Sequence, residues 1–599
     1  MPDFSRLQHL PYAVHDIMRR HSAGFIDDEN SVHIKKGFRI ADCGFRKEES
    51  GIAIRLNSLA GRWGTPAARV LEILIFSVLI LTARCANFRD VFVGGEIYFT
   101  DADCYSRMTR ARICLERPGT IIRHHSFENF PAGTTPHTTT PLDYLIVALA
   151  KSLQPFTAKA LDLAGAIVSP LLGLFGGWFL WWWAVRNKIR YRGALLLLYA
   201  TSPILVHGTE LGRPDHQSLL ILLLLVAVCS EWTLVSEGVG TPVRQAQGRL
   251  RSLPHWGAVN GIAWGLALWV SLYEPLVLFS LVLVSHAISA RENFTTRHRR
   301  LGWVLFGAIV VIALAIEQRI VLWPVANGDS ILANWSRTIG ELRSVPPNDS
   351  IWLRWTGLLL VPAPALLWIA FRKRFTIPLF MVGLLIATFV LTVWQARWAY
   401  FFVAIFALAL PALLGVIEIR AIAWVAIIVS MMPVMKHWDE TIWPNEEQTA
   451  LRAERRFEAM QWREAATSIA SQTEAPFLAP WWFSPSVAYW SAQPGVAGSS
   501  HEALDGIARS ARFFLASDAE TACEILLGSR VKWVLAYDAD RTVANSGALL
   551  GIPGPANPLC RVLDRAPSQA PAFLEFVSQN GACKMFRTRF SEEKHDFPR

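Results

Sequence analysis

Long apolar runs are missing from two stretches of this 599-residue chain, roughly its first 67 residues and everything after about residue 435. Residues 1–67 are polar, basic and weakly periodic. They hold no apolar h-region, which excludes an ordinary cleavable signal and leaves the first apolar run as the expected uncleaved targeting element. The eight cysteines form no CxxC pair and no Cys/His spacing of the zinc kind, so they suggest no zinc site. No Ser/His/Asp arrangement and no Gly-rich phosphate loop is present, which argues against chemistry that depends on either. No internal repeat is visible, and that weighs against a transporter built from inverted halves.

What the chain has in quantity is apolar sequence: 52% of its residues are hydrophobic and 25 are Trp. That is too much for several soluble domains, so most of the chain belongs in lipid. Runs near the ~20 residues needed to cross a bilayer recur at 68–86, 158–184, 193–207, 216–236, 257–271, 275–290, 302–323, 353–371, 376–394, 398–416 and 419–435. The expected fold is a polytopic α-helical membrane protein of eleven spans, within about two.

The net charge of +10 does not point to nucleic acid, because the basic residues sit in every second short loop. One set of loops holds Arg186, Lys188, Arg190, Arg192, Arg244, Arg249, Arg251, Arg291, Arg297, Arg299, Arg300, Arg372, Lys373, Arg374 and Arg420. The other set holds Arg213, Arg337, Arg343 and Arg397. Fifteen against four predicts a cytoplasmic amino terminus and an external segment after residue 435, which requires an odd number of spans.

Three parts follow: a cytoplasmic extension (1–67), a membrane domain (68–435) with a long first external loop (87–157), and an external soluble domain (436–599). The last alternates helical stretches, Glu446–Thr473, Glu502–Leu515 and Ala519–Leu527, with short apolar segments, Pro476–Trp482 and Val531–Tyr537. Such alternation predicts a small mixed α/β domain. Cys104–Cys114 or Cys560–Cys583 could pair in an external compartment, or all could be unpaired small apolar residues.

The carboxylates concentrate on the external side. Asp101 and Asp103, in Phe99-Thr-Asp-Ala-Asp-Cys-Tyr-Ser-Arg107, form a compact hard-oxygen pair suited to Mg²⁺ or Mn²⁺. A solvated loop is the plainer reading of such a pair. Phe127–Gly133 and His137–Pro141 look like binding-loop material beside the membrane. The second external loop, Gly208–Gln217, packs Glu210, Arg213 and Asp215 between apolar helices, where charge is expensive. An Arg213–Asp215 pair closing the loop would also account for it. Glu341 lies in Asn334–Leu342, and Arg397 in Trp394–Phe402, where it is either a snorkelling cation or a phosphate ligand.

In this order, over about residues 70–515, these motifs resemble the catalytic subunit of oligosaccharyltransferase, a C-type glycosyltransferase, in a divergent bacterial-type form. Thr338-Ile-Gly-Glu341 matches that family's TIxE motif. Asp215, in Gly-Arg-Pro-Asp-His-Gln, falls where its second acidic motif belongs, with Gln217 in place of the second acid. Spacing back from Arg107 selects Asp101 as the first acid, with Asp103 a close rival. Trp481-Trp-Phe-Ser-Pro485 stands where WWDYG is expected, without its Asp and Tyr.

The resemblance implies a metal-dependent, inverting glycosyltransferase of a bacterial inner (plasma) membrane, its soluble domain periplasmic or extracellular. Its donor would be a polyprenyl-(pyro)phosphate glycan and its acceptor a protein asparagine. Asp101 or Asp103 together with Asp215 would bind Mg²⁺ or Mn²⁺, and Arg397 the donor phosphate. Glu341 would orient the acceptor, with Trp481 and Trp482 lining its cleft. A C-type glycosyltransferase with a lipid or glycan acceptor is the alternative, ahead of a transporter or a non-catalytic membrane protein.

Overall fold

The computed structural model describes residues 66–238, 253–289, 297–319, 330–372, 377–470 and 475–590. The predicted extension 1–67 lies almost wholly outside them, as do the basic residues Arg244, Arg249, Arg251, Arg291, Lys373 and Arg374. The chain divides into two compact units, one running from Asp3 to Val78 and one holding the residues from Leu79 onward. Within the described part of the first lies most of the helix Pro66–Arg84, which is apolar and little buried.

The protein is an integral membrane protein. Among the described residues six helices are long and apolar enough to cross a bilayer: Pro66–Arg84, Ala160–Arg186, His216–Ser236, Arg299–Glu317, Ala396–Gly415 and Arg420–Ile442. Tyr273–Ile288, Ala363–Arg372 and Leu379–Trp394 are shorter apolar helices. Each of the eleven predicted spans overlaps helix, but several are broken. Arg192–Thr201 stops at Ser202 because the following Pro203 disfavours helical backbone before it, and Pro203 then opens the helix Pro203–His207. Leu253–Val270 and Arg297–Glu317 approach so closely that a Cβ on Gly261 would stand 2.0 Å from the Gly302 carbonyl oxygen. Small residues permit such contact where lipid supplies no hydrophobic drive between helices.

Two boundaries differ from expectation. The run 302–323 ends as helix at Glu317, and Arg319 leaves it to donate to the carbonyls of Pro136 and Thr138. The last apolar run continues through Met432–Ile442 rather than stopping near 435. The segment 87–157 between the first two spans is itself structured, with helices Ala102–Glu116 and Pro141–Leu153.

After the helix Glu446–Ala470 comes a four-stranded sheet of β1 (Phe477–Leu478), β2 (Trp533–Ala536), β3 (Leu574–Asn580) and β4 (Cys583–Thr588) in the order β1-β2-β4-β3. The first pair is parallel and the others antiparallel, so the domain is mixed. The 127–133 segment is stitched to it by two backbone bonds, Phe130 N–H to Gly495 O and Gly495 N–H to Phe127 O. Arg112 adds a bond to the Tyr489 carbonyl.

The disulfides considered from sequence are absent: Cys104, Cys114, Cys560 and Cys583 are all free. Cys104 and Cys114 lie on one helix, where ten residues at ~1.5 Å each separate them by far more than a disulfide spans. Cys560 and Cys583 pack into different apolar clusters. All four are buried small side chains.

Candidate active site

Asp101 is placed by its own helix. It is the N-cap of Ala102–Glu116, its backbone extended, and Oδ1 accepts from Cys104 N–H at 2.9 Å. That fixes the carboxylate and leaves Oδ2 pointing away, 3.0 Å from Arg213 Nη1. Asp215 stands just before the helix His216–Gly238, where Oδ1 accepts from the backbone and ring nitrogens of His216, both at 2.6 Å. Both acids therefore sit at helix amino termini, where negative charge is favoured. Gly212 shapes the loop between them: its φ is +74° and a Cβ would press within 2.7 Å of Val91.

Glu341 reaches the same place from a 3₁₀ turn after Ser330–Thr338. Its Oε1 accepts from Arg213 Nη2 and from the Tyr400 hydroxyl, each at 3.0 Å. Tyr400 in turn meets His207 Nδ1 at 2.8 Å, and His207 Nε2 lies 3.2 Å from Arg213. Arg213 thus bridges Asp101 and Glu341 rather than pairing with Asp215. Arg397 is half-buried and ion-paired with Glu274, whose other oxygen accepts from Ser271 at 2.6 Å. It is close enough to Glu341 and Asp215 to feel both charges.

The electrostatics separate the acids. Burial opposes ionisation of Asp101, but the Arg213 charge outweighs it and holds the carboxyl below its ordinary range. Burial likewise opposes Asp215, yet His216, Arg213 and Arg107 keep it ionised. Asp103 goes the other way. Burial, then the charges of Asp101 and Asp215, push it well above the usual carboxylate range. Glu210 rises to about 7, chiefly by burial, with Arg213 only partly compensating. Four carboxylates, two of them reluctant to ionise, therefore lie within electrostatic reach of one another around Arg213. The all-oxygen chemistry of Asp101, Asp103 and Asp215 suits a divalent cation, although among the described residues it is His137, His501 and Glu502, not these three, that bring ligand atoms within 4.8 Å of one another.

Trp481 and Trp482 lie elsewhere. Both are buried in the soluble domain's core, edge to face with ring centroids 6.0 Å apart, in a cluster that includes Trp335 and Ile339. They back the segment that carries Glu341 rather than joining the carboxylates. Phe483, in the position of the motif's missing Asp, stacks on Trp462 with centroids 4.7 Å apart. The Ser484 hydroxyl is taken by the Ala497 carbonyl at 3.0 Å.

Sequence reasoning passed over Tyr400 and His207, and weighed Arg213 only as a loop-closing ion. The available signals were position: Tyr400 follows Arg397 by three residues, and His207 opens the second external loop. It read His137 only as part of a binding loop and passed over His501 and Glu502, which meet His137 beside His216.

Apolar helices with acids gathered at one end, and a mixed α/β domain stitched over them, define a membrane protein with the architecture of the oligosaccharyltransferases. Over 175 residues the chain is 27% identical to dolichyl-phosphooligosaccharide-protein glycotransferase 1 of Archaeoglobus fulgidus, a match covering 28% of this chain and 28% of that protein. Its fold matches the solved A. fulgidus oligosaccharyltransferase in the apo form with a TM-score of 0.62 at 13% identity, over 82% of this chain and 72% of that one. That enzyme has also been solved with an inhibitory peptide and a dolichol-phosphate, and with Zn and sulfate. ArnT of Cupriavidus metallidurans bound to undecaprenyl phosphate matches with a TM-score of 0.54 at 14% identity, over 88% of this chain and 98% of that one. No family model matches the chain. At these identities the structural likeness establishes the fold.

Proposed function

We propose that this chain is a membrane glycosyltransferase moving a glycan from a polyprenyl phosphate or pyrophosphate to an acceptor at the external face, with protein asparagine as the first reading. The observation that carries this is that Asp101 and Glu341 meet on Arg213, with Asp103 and Asp215 within electrostatic reach, so that acids from three separate segments gather at one half-buried place. The alternation of basic loops supports an amino terminus in the cytoplasm of a bacterial inner membrane and a periplasmic or extracellular soluble domain.

Asp101, Asp103 and Asp215 would hold Mg²⁺ or Mn²⁺, which when bound would neutralise charge on the leaving phosphate. Arg397, aligned by Glu274, presents a guanidinium to the donor's phosphate oxygens. Glu341, fixed by Arg213 and Tyr400, would accept a hydrogen bond from the attacking acceptor group and aim its lone pair at the anomeric carbon. The carbon–oxygen bond to phosphate breaks as the new glycosidic bond forms on the opposite face, so the anomeric centre inverts. Trp481 and Trp482 would support the wall of the acceptor cleft through Trp335 and Ile339.

A lipid or glycan acceptor is favoured by one specific observation. In Trp481–Pro485, which stands where WWDYG is expected, Phe483 is packed away and Ser484 is already bonded, so neither is free to hold a peptide acceptor. The test is in vitro transfer from a polyprenyl-linked glycan with Mn²⁺ to an Asn-x-Thr peptide, and in parallel to lipid and free-glycan acceptors. Asp101→Ala, Asp215→Ala and Glu341→Gln should each abolish most turnover, and full activity in all three sinks the site. Transfer to a lipid or glycan with none to peptide selects the second reading.

A further inference from the structure

A second cluster of ligand-type side chains stands beside the acidic pocket and takes no part in the chemistry above. His137 comes from the first external loop, and His501 and Glu502 from the soluble domain. One ligand atom from each lies within 4.8 Å of the others. Glu502 Oε1 is 2.8 Å from His137 Nδ1 and also accepts from the His137 backbone N–H at 2.9 Å. Its second oxygen, Oε2, is buried without a hydrogen-bond partner, although His501 Nδ1 lies 3.4 Å away. The two imidazoles face each other with centroids 4.9 Å apart, and His137 meets the His216 ring edge to face at 6.2 Å.

A buried carboxylate oxygen outside hydrogen-bond geometry, with His501 Nδ1 at 3.4 Å and His137 on the other oxygen, is a position that a cation would satisfy. Two nitrogens and one carboxylate form a borderline set that suits Zn²⁺ and its neighbours, whereas the all-oxygen pocket next to it suits Mg²⁺ or Mn²⁺. In a tetrahedral zinc site with bonds near 2.0 Å the ligand atoms stand about 3.3 Å apart, which small side-chain rotations reach from here. Three protein ligands leave a fourth position for water or a neighbouring group.

We infer that His137, His501 and Glu502 form a transition-metal site of the Zn²⁺ class that clips the first external loop to the soluble domain beside the acidic pocket. His137 and Glu502 are 365 apart in sequence, so the bound ion would add a metal tie to the hydrogen bonds that already join the two segments.

The test uses the full chain in detergent, stripped with a chelator and titrated with Co²⁺, whose visible absorption reports four-coordinate nitrogen and oxygen ligation. The wild type should take up one such ion, displaced by Zn²⁺ and not by excess Mg²⁺. His137→Ala and His501→Ala should each weaken uptake by at least about a hundredfold, while Asp103→Asn and Asp215→Asn keep it. Absence of the band in the wild type overturns the site. So does its survival in both histidine variants, or its loss in Asp215→Asn alone. Should His501→Ala fail to fold, the more exposed His137→Ala decides.

Discussion

Two groups of buried charge lie at opposite ends of the same helices, about 20 Å apart along His216–Gly238, and they are built on different principles. At the far end Glu231 accepts from His286 Nε2 at 2.6 Å and from both terminal nitrogens of Arg299 at 2.5 and 3.1 Å. Every carboxylate oxygen there has a partner and the charges balance, so the cluster is a closed structural joint among three helices. At the other end Arg213 bridges Asp101 and Glu341 and lies 3.9 Å from Glu210, Asp215 is held by His216, and Arg397 pairs with Glu274, so the acids outnumber the cations in contact with them. The comparison teaches that cost alone does not mark a functional site, since burial makes both groups expensive. The imbalance marks it, because surplus carboxylates are stable only when something cationic arrives.

The largest effect should fall on the balanced joint. Arg299→Met takes the guanidinium from buried Glu231 and leaves it to the His286 ring, and should lower unfolding stability by about 3–5 kcal/mol. Glu231→Leu with Arg299→Met should recover most of that, as read by thermal or denaturant unfolding in detergent, and turnover per folded molecule should stay near the wild type in both. A large loss of kcat in the double variant would show that this joint too is functional. The opposite pattern is expected next, at the acidic pocket. Asp215→Asn should lower kcat by about 10²–10³ with little change in the unfolding midpoint.

Much of this contrast was legible in the chain. The apolar runs announced the helices, and motif order brought Asp101, Asp103, Asp215, Glu341 and Arg397 to one end. What was hidden depended on contacts between distant segments. Nothing local says that Arg213 reaches Glu341, 128 residues away, rather than Asp215 two residues away. The tryptophan pair read as cleft lining because aromatic residues serve both there and in cores, and only packing separates the two. The hairpin of Leu574–Asn580 and Cys583–Thr588 went unread although Asn580-Gly581, with φ +58° at the glycine, is a strong turn signal. The free cysteines followed from helical spacing once Ala102–Glu116 was known to be one helix.

Within the pocket, Glu210 offers a finer probe of the imbalance. Its folded pKa of about 7 lies above the ordinary 4.5. Between those values the folded protein keeps a proton that the unfolded chain has lost. Stability should therefore be highest below about pH 4.5 and fall until about pH 7, then level. Glu210→Gln should remove that slope, a difference of about 2–3 kcal/mol at pH 8, measured by unfolding from pH 5 to 8. An unchanged slope would assign the pH dependence to other carboxylates.

The smallest effect tests the comparison most directly, because it alters the counter-charge that bridges Asp101 and Glu341. Arg213 lies 3.0 Å from both Asp101 Oδ2 and Glu341 Oε1, so it is already neutralising what a divalent ion would neutralise. Replacing it with Gln keeps hydrogen-bonding capacity and removes one positive charge. In a partly buried setting a unit charge a few ångströms from the ligands is worth at least about 1.4 kcal/mol, so Mn²⁺ should bind Arg213→Gln about tenfold more tightly, read from free Mn²⁺ by electron paramagnetic resonance. Turnover should nevertheless fall, since Glu341 loses the donor that aims it. Equal Mn²⁺ affinity in the two proteins would mean that the acids are satisfied as they stand, and the distinction between the balanced joint and the acid-rich pocket would lose its physical basis.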